Sequence, residues 1–176
     1  MIQQSLNLAG VVPESITDGP GIRYAIFCQG CPHHCKGCHN PETWPFEEKE
    51  RRTPQELLED IQKNPLVKGV TFSGGEPFAQ AGAFAQLAEL LKEENYEVAV
   101  YTGYTFEEIF NSSNTEWHRL LEATDILIDG LFEENLRDLS LWFRGSSNQR
   151  ILSAKKSIEQ KKPILCTEER WIGEEQ

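Results

Sequence analysis

The sequence holds no apolar run long enough to cross a bilayer as a helix, so no membrane partner is expected. Its N-terminus lacks the basic-then-apolar pattern of a secretory signal, and the expected address is cytoplasmic. Basic side chains are scarce: 17 Lys and Arg face 28 Asp and Glu, a formal net charge of −11. Nucleic acid and anionic membranes are recognised by clustered cations that neutralise phosphate, which excludes both as general partners. Internal repeats, low-complexity stretches and interdomain linkers are missing too. A chain of 176 residues that is 39% hydrophobic can bury one core, so a single domain over 1–176 is expected.

Cysteine is also sparse, but its placement is informative. Of five, Cys28, Cys31, Cys35 and Cys38 crowd into one stretch, and Cys166 stands alone. An odd, crowded set without a secretory signal points to metal binding rather than a disulfide framework. Thiolates at Cys31-x3-Cys35-x2-Cys38 can ligate three irons of a 4Fe–4S cubane. The fourth iron then lacks a protein ligand, and an open position distinguishes a catalytic metal site from a closed structural one. Including Cys28 gives C-x2-C-x3-C-x2-C, which leaves a four-thiolate zinc site or a fully ligated electron-transfer cluster open. Zinc ribbons separate their C-x2-C pairs much further, and ferredoxin runs are spaced C-x2-C-x2-C-x3-C. Cys28 ends an apolar run and is expected to pack as a buried thiol. Cys31, Cys35 and Cys38 are the expected metal ligands and catalytic residues.

The pattern along the chain predicts strands over 22–28, 67–72, 97–101 and 125–129. Thr53-Pro54-Gln55-Glu56 predicts a helix start, with Thr as N-cap, Pro at the first helical position and Glu closing a capping box. Leu57, Leu58 and Ile61 give that helix its apolar face, and Pro65 ends it. Further helices are expected over 79–94, 105–111, 115–123 and around 153–161, then a strand at 163–166. Strands alternating with helices predict a mainly parallel α/β sheet with helices outside. Ligands collect at the carboxyl ends of such strands. The cysteine loop and the turns at Gly74-Gly75, Thr102-Gly103 and Asp129-Gly130 all follow strands, so they should share one edge.

The three-cysteine spacing resembles that of the radical S-adenosylmethionine superfamily. Asp18-Gly19-Pro20-Gly21-Ile22-Arg23 before it, and Cys38-His39-Asn40 with Thr43-Trp44 after it, are similar to the superfamily's glycyl-radical-enzyme activases. Leu127-Ile128-Asp129-Gly130 and the segment Trp142-Phe143-Arg144-Gly145-Ser146-Ser147-Asn148-Gln149 resemble the branch that serves anaerobic ribonucleotide reductase. The resemblance covers about 6–150 and leaves 151–176 as a C-terminal extension of unassigned role.

This resemblance implies a partial (βα) barrel with a 4Fe–4S cluster and S-adenosylmethionine at its open top. The implied chemistry is reductive cleavage of S-adenosylmethionine to a 5′-deoxyadenosyl radical. That radical would take hydrogen from the glycyl radical loop of anaerobic ribonucleoside-triphosphate reductase, with flavodoxin or ferredoxin supplying the electron. Gly37, Cys38, His39, Gly74, Gly75, Glu76, Thr102 and Asp129 are the implied cofactor contacts. Gly37 departs from the superfamily, which often has an aromatic residue just before the third cysteine. Taken singly, Gly74-Gly75 could be an ordinary turn, and Thr102 and Asp129 could cap turns. Gly19-Pro20-Gly21 is tight-loop chemistry in any protein, and on the resemblance it also shapes the mouth of the site. His33 and His34 are expected to be solvent-exposed. The segment 142–149 suits either a docking surface or a packed closing segment. Alternatives to this activity are an activase of another glycyl-radical enzyme, such as the pyruvate formate-lyase type, or a non-catalytic iron–sulfur or zinc module.

Overall fold

The structure, a computed structural model, describes residues 4–173. Its strands are β1 (Leu6–Ser15), β2 (Arg23–Cys28), β3 (Glu50–Arg52), β4 (Gly69–Gly74), β5 (Glu97–Tyr101), β6 (Ile126–Asp129) and β7 (Arg150–Ser153). Its helices are α1 (Pro54–Gln62), α2 (Ala81–Glu93), α3 (Phe106–Phe110), α4 (Thr115–Glu122), α5 (Ala154–Gln160) and α6 (Glu169–Ile172). The strands form one sheet in the order β3-β1-β2-β4-β5-β6-β7. β2, β4, β5 and β6 run parallel, whereas β1, β3 and β7 are antiparallel to their neighbours.

The parallel strands correspond to the four expected ones. The antiparallel flanks were not anticipated. β1 carries two register irregularities, after Leu8 and after Val12, which break the alternation by which a strand is recognised. β3 is three charged residues, and β7 has only four, held to β6 by pairing from Ile126↔Ser153 to Asp129↔Arg150. The strand expected at 163–166 reduces to an isolated bridge between Leu152 and Leu165. The helix expected from 79 begins at Ala81, after a 3-10 turn at Pro77–Gln80. A mixed α/β sheet with a parallel centre is the architecture. Among the described residues β3 and β7 are not paired with each other.

Local chemistry accounts for the helix starts. The Thr53 hydroxyl accepts from the Glu56 N–H, and the Glu56 carboxylate accepts from the Thr53 N–H at 2.8 Å. Thr105 and Glu108 repeat this box at α3. Each satisfies two amide donors that the first turn leaves over.

Alternation along the strands sorts side chains onto two faces. On one, Ile26, Phe72, Val100, Leu127 and Leu152 pack beneath the helices against Leu57, Phe84, Leu87 and Leu120. Cys28 lies on this face and is fully buried. On the other, Ala99, Ile126, Ile128 and Ile151 meet Cys166 and Trp171 from the C-terminal segment.

The helix side should dominate stability. Phe84 packs on Phe72 with ring centroids 4.6 Å apart. Phe84→Ala is expected to cost about 3–5 kcal/mol of unfolding free energy, against about 1 kcal/mol for Thr53→Ala at its exposed cap. Urea denaturation of both variants measures the contrast, and equal costs would mean that the core does not sit where Phe84 is.

Candidate functional site

The cysteine loop grows from the end of β2, and its root is bound to the chain on either side. Cys28 pairs with Gly74 of β4. The pairing then continues past the strands: Gly75 N–H donates to the Cys28 carbonyl at 2.8 Å, and Glu76 N–H to the Gly30 carbonyl at 2.9 Å. On the far side Gly30 and Cys31 donate to the carbonyls of Thr43 and Trp44. A side chain on Gly75 would place Cβ 2.2 Å from the Gly30 oxygen, and one on Gly74 2.5 Å from the Cys28 nitrogen. Gly74 also has φ +92, which favours glycine. The close backbone approach expected of this pair is therefore made to the base of the cysteine loop.

Glu76 is buried, and four donors converge on its carboxylate. Thr102 Oγ1 (2.8 Å) and Phe78 N–H (3.0 Å) bond Oε1, while Gly103 N–H (2.8 Å) and His33 Nε2 (2.7 Å) bond Oε2. A buried carboxylate is tolerable only with such satisfaction. His33 also sets its ring edge-on to Tyr104, with centroids 4.6 Å apart. The expected solvent exposure of His33 is thus corrected: its side chain is only 12% exposed because Glu76 and Tyr104 draw it inward. His34 is exposed, as expected, and stacks on Trp44.

Cys31, Cys35 and Cys38 line one cavity of about 130 Å³ at the carboxyl ends of β2, β4, β5 and β6. Ser73, Gly74, Gly75, Glu76, Thr102, Gly130 and Phe132 complete much of its wall, and Cys28 is not among the lining residues. All five cysteines are free thiols. Burial pushes the Cys31 and Cys35 thiols up, and the nearby Glu76 charge adds to the rise at both. A second cavity of about 560 Å³ adjoins the first and shares Cys38, Ser73, Tyr101, Phe132 and Gln149. One of its walls is the end of β1 and the turn after it, with Ser15, Thr17 and Asp18, and another is Phe143–Gly145.

The strand-end turns thus meet at one edge, but several expected contacts are engaged within the chain. The Thr102 hydroxyl donates to Glu76 and accepts from Tyr104 N–H. Asp129 is buried, accepts from Phe106 N–H at the start of α3, and is bridged twice by Arg150. His39 is exposed, borders the larger cavity and tilts against Phe132. Gly37 has φ +77, and a Cβ there would stand 3.2 Å from the Glu134 side chain, which fits glycine better than the aromatic found elsewhere. The segment 142–149 is bonded within the fold and also presents Phe143, Arg144, Gly145 and Gln149 to the larger cavity. Gln149 accepts from Gly145 and Ser146 N–H groups and donates to the Gly130 carbonyl, although Trp142 stays half exposed. Tyr101 and Phe132 were not foreseen as site residues, whereas Ser73 opens the Ser73-Gly74-Gly75-Glu76 motif. The only signal for Tyr101 and Phe132 was position, next to turns already singled out.

The donor set suits an iron–sulfur cluster. Three soft thiols face one cavity, and the carboxylate and imidazole that also line it, Glu76 and His33, are bonded to each other. Among the described residues no three His, Cys, Asp or Glu side chains converge on a single ion position. In a cubane each thiolate takes its own iron, so such convergence is not required.

Comparison with known proteins gives a family match over residues 17–152 to the 4Fe-4S single cluster domain. The chain is 34% identical over 154 residues to the anaerobic ribonucleoside-triphosphate reductase-activating protein of Vibrio cholerae, covering 83% of this chain and 97% of that one. The protein of the same name from Enterobacteria phage T4 is 32% identical, over 84% of this chain and 94% of its own. That from Escherichia coli K12 is 30% identical, over 82% and 96%. Among solved structures, QueE from Escherichia coli overlaps 60% of this chain and 55% of its own at 24% identity, with a TM-score of 0.46. That overlap is too partial to bear on fold or chemistry.

Both the Gly75 contact and the His33–Glu76 bond should stiffen the cysteine loop. Gly75→Ala and His33→Ala are each expected to speed amide hydrogen exchange over residues 29–38 by about ten-fold, leaving α2 and β5 unchanged. Unaltered exchange in both variants would mean that the loop is held by other contacts.

Proposed function

The chain belongs to the 4Fe-4S single cluster domain family, alongside reductase-activating proteins that it matches over nearly their whole length, and we propose that it activates anaerobic ribonucleoside-triphosphate reductase. In this reading Cys31, Cys35 and Cys38 would hold the cluster and leave one iron free for S-adenosylmethionine. The observation that carries it is the meeting of three free thiols on one cavity at the parallel strand ends, beside a larger cavity bordered by loops. When bound, the cluster and S-adenosylmethionine supply one-electron chemistry that ends in removal of a hydrogen atom from a glycine of the reductase.

The chain's own contribution is to bind, orient and shield. Burial holds the Cys31 and Cys35 thiols up, and thiols lose their protons on binding metal, so cluster loading would release protons. Gly37, Cys38, His39, Gly74 and Gly75 are the proposed cofactor contacts. Glu76, Thr102 and Asp129 act by holding the walls, since their polar atoms bond Gly103, Tyr104 and Arg150. Cys28 packs under the helices and takes no iron. The larger cavity receives the glycyl radical loop of the reductase, a volume within the range of ordinary binding clefts.

Three finer features rest on the sequence resemblance. The sheet is the wall of a partial (βα) barrel, which the parallel run β2-β4-β5-β6 with helices on one face supports. The domain is single over 1–176 with its core at about 6–150; the pairing of β7 with β6 supports one continuous body. The electron comes from flavodoxin or ferredoxin in the cytoplasm, and no described helix is long and apolar enough to cross a membrane.

Anaerobic purification, metal and sulfide analysis, and an assay for 5′-deoxyadenosine with dithionite test the reading together. About four irons per chain are expected. Cys31→Ala, Cys35→Ala and Cys38→Ala should each lose iron and 5′-deoxyadenosine, while Cys28→Ala keeps both. Zinc without iron, or iron without 5′-deoxyadenosine, would sink the proposal, and loss of iron in Cys28→Ala would reassign the ligands.

A further inference from the structure

Both walls of the larger cavity lean on one side chain that lies outside the family-matched residues 17–152. Trp171, in α6, is fully buried. Toward the first wall, a Cβ on Gly19 would stand 2.6 Å from Arg23 Cδ and 2.9 Å from the edge of the Trp171 ring, so the turn carrying Asp18 rests on Arg23 and the indole together. The Arg23 guanidinium lies 5.1 Å from the ring centroid. Arg23 in turn donates to Thr71 Oγ1 at 2.9 Å, and that hydroxyl donates to the Asp18 carbonyl at 2.8 Å. Toward the second wall, Phe143 meets the indole edge-on with centroids 5.5 Å apart. Phe143 has φ +55, a conformation that persists for an aromatic residue only when its surroundings hold it. Two restraints do so: the packing on Trp171, and the Tyr101 hydroxyl, which donates to the Phe143 carbonyl at 2.7 Å. Arg170, next to Trp171, pairs with Glu97 of β5, and Glu97 also pairs with Arg23.

We propose that Trp171 is a positioning residue that sets the separation of the Asp18 wall from the Phe143 wall, and thereby the fit of the reductase loop entering between them. The inference rests on the activase reading above. Trp171 lines neither cavity, so it acts through Gly19, Arg23 and Phe143 and leaves the thiols alone. Its indole N–H is buried with no hydrogen-bond partner among the described residues. The ring's bulk and faces therefore carry the role, and phenylalanine should largely replace it.

The test uses the full chain, loaded with iron anaerobically, as wild type, Trp171→Leu and Trp171→Phe. Iron per chain and dithionite-driven 5′-deoxyadenosine formation without reductase report the cluster site. Glycyl radical yield by electron paramagnetic resonance, titrated against reductase, reports the groove. Trp171→Leu should keep iron and uncoupled cleavage near wild type while KM for the reductase rises about ten-fold at little changed kcat. Trp171→Phe should recover most of that loss. A fall in iron or uncoupled cleavage parallel to the radical yield would make Trp171 a general prop and overturn the inference, as would an unchanged KM. If Trp171→Leu does not fold, Gly19→Ala presses on the Arg23 side chain and, with it, on the same ring from the other side, and must raise KM with iron retained; no rise overturns the inference. An unaltered chain that forms no 5′-deoxyadenosine would overturn the activase reading as well, whereas unchanged KM in variants of an active chain overturns this inference alone.

Discussion

A single buried carboxylate holds the functional edge together. Glu76 takes one donor from the cysteine loop, two from the end of β5 and the turn beyond it, and one from the start of its own 3-10 turn. Burying such a charge is tolerable only when every acceptor is filled, and filling them requires three segments far apart in sequence to arrive at one point. The position of His33, the conformation of the Thr102–Gly103 turn and the orientation of the thiol-bearing loop all follow from that requirement. The glycines before Glu76 serve the same end, since any side chain at Gly75 would drive the loop root away.

The sequence discloses the parts of this arrangement that depend on short-range chemistry. The capping box at Thr53, the helical spacing along α2 and the compact β5 run are each written within a dozen residues, and each is found in the fold. The three cysteines are legible for the same reason, because their spacing lies inside one loop. What could not be read is whatever depends on distant partners. His33 lies 43 residues from Glu76, and nothing in its neighbours distinguishes it from the exposed His34. Asp129 shows its partner only because β7 brings Arg150 alongside β6, and β7 itself is too short to announce a strand. β1 escaped because its bulges break the two-residue period.

The two faces of the sheet divide the labour. Under the helices, close packing of large apolar side chains such as Phe72 and Phe84 forms the larger of the two apolar clusters. The opposite face is more varied: Arg23 and Thr71 are buried there in a polar chain, with Ser73 and Tyr101 bordering the cavities and aliphatic residues further along. A face that must leave room for ligands cannot fill itself, and the C-terminal segment supplies the missing bulk below the site with Cys166 and Trp171. Cys28 belongs to the first face and Cys31 to the site, although only two residues separate them, because the chain leaves the strand between them.

An open sheet exposes unpaired amide and carbonyl groups at its borders, and such borders invite strand-to-strand association. Here the strand beyond β1 is Glu50-Arg51-Arg52, three residues long and charged throughout, a poor template for any further strand. At the far border β7 is itself only four residues long and is partly occupied by the bridge from Leu165. Two borders blunted in this way discourage the edge-on stacking that leads to aggregates, and they direct encounters with other chains away from the backbone rims and toward the loops.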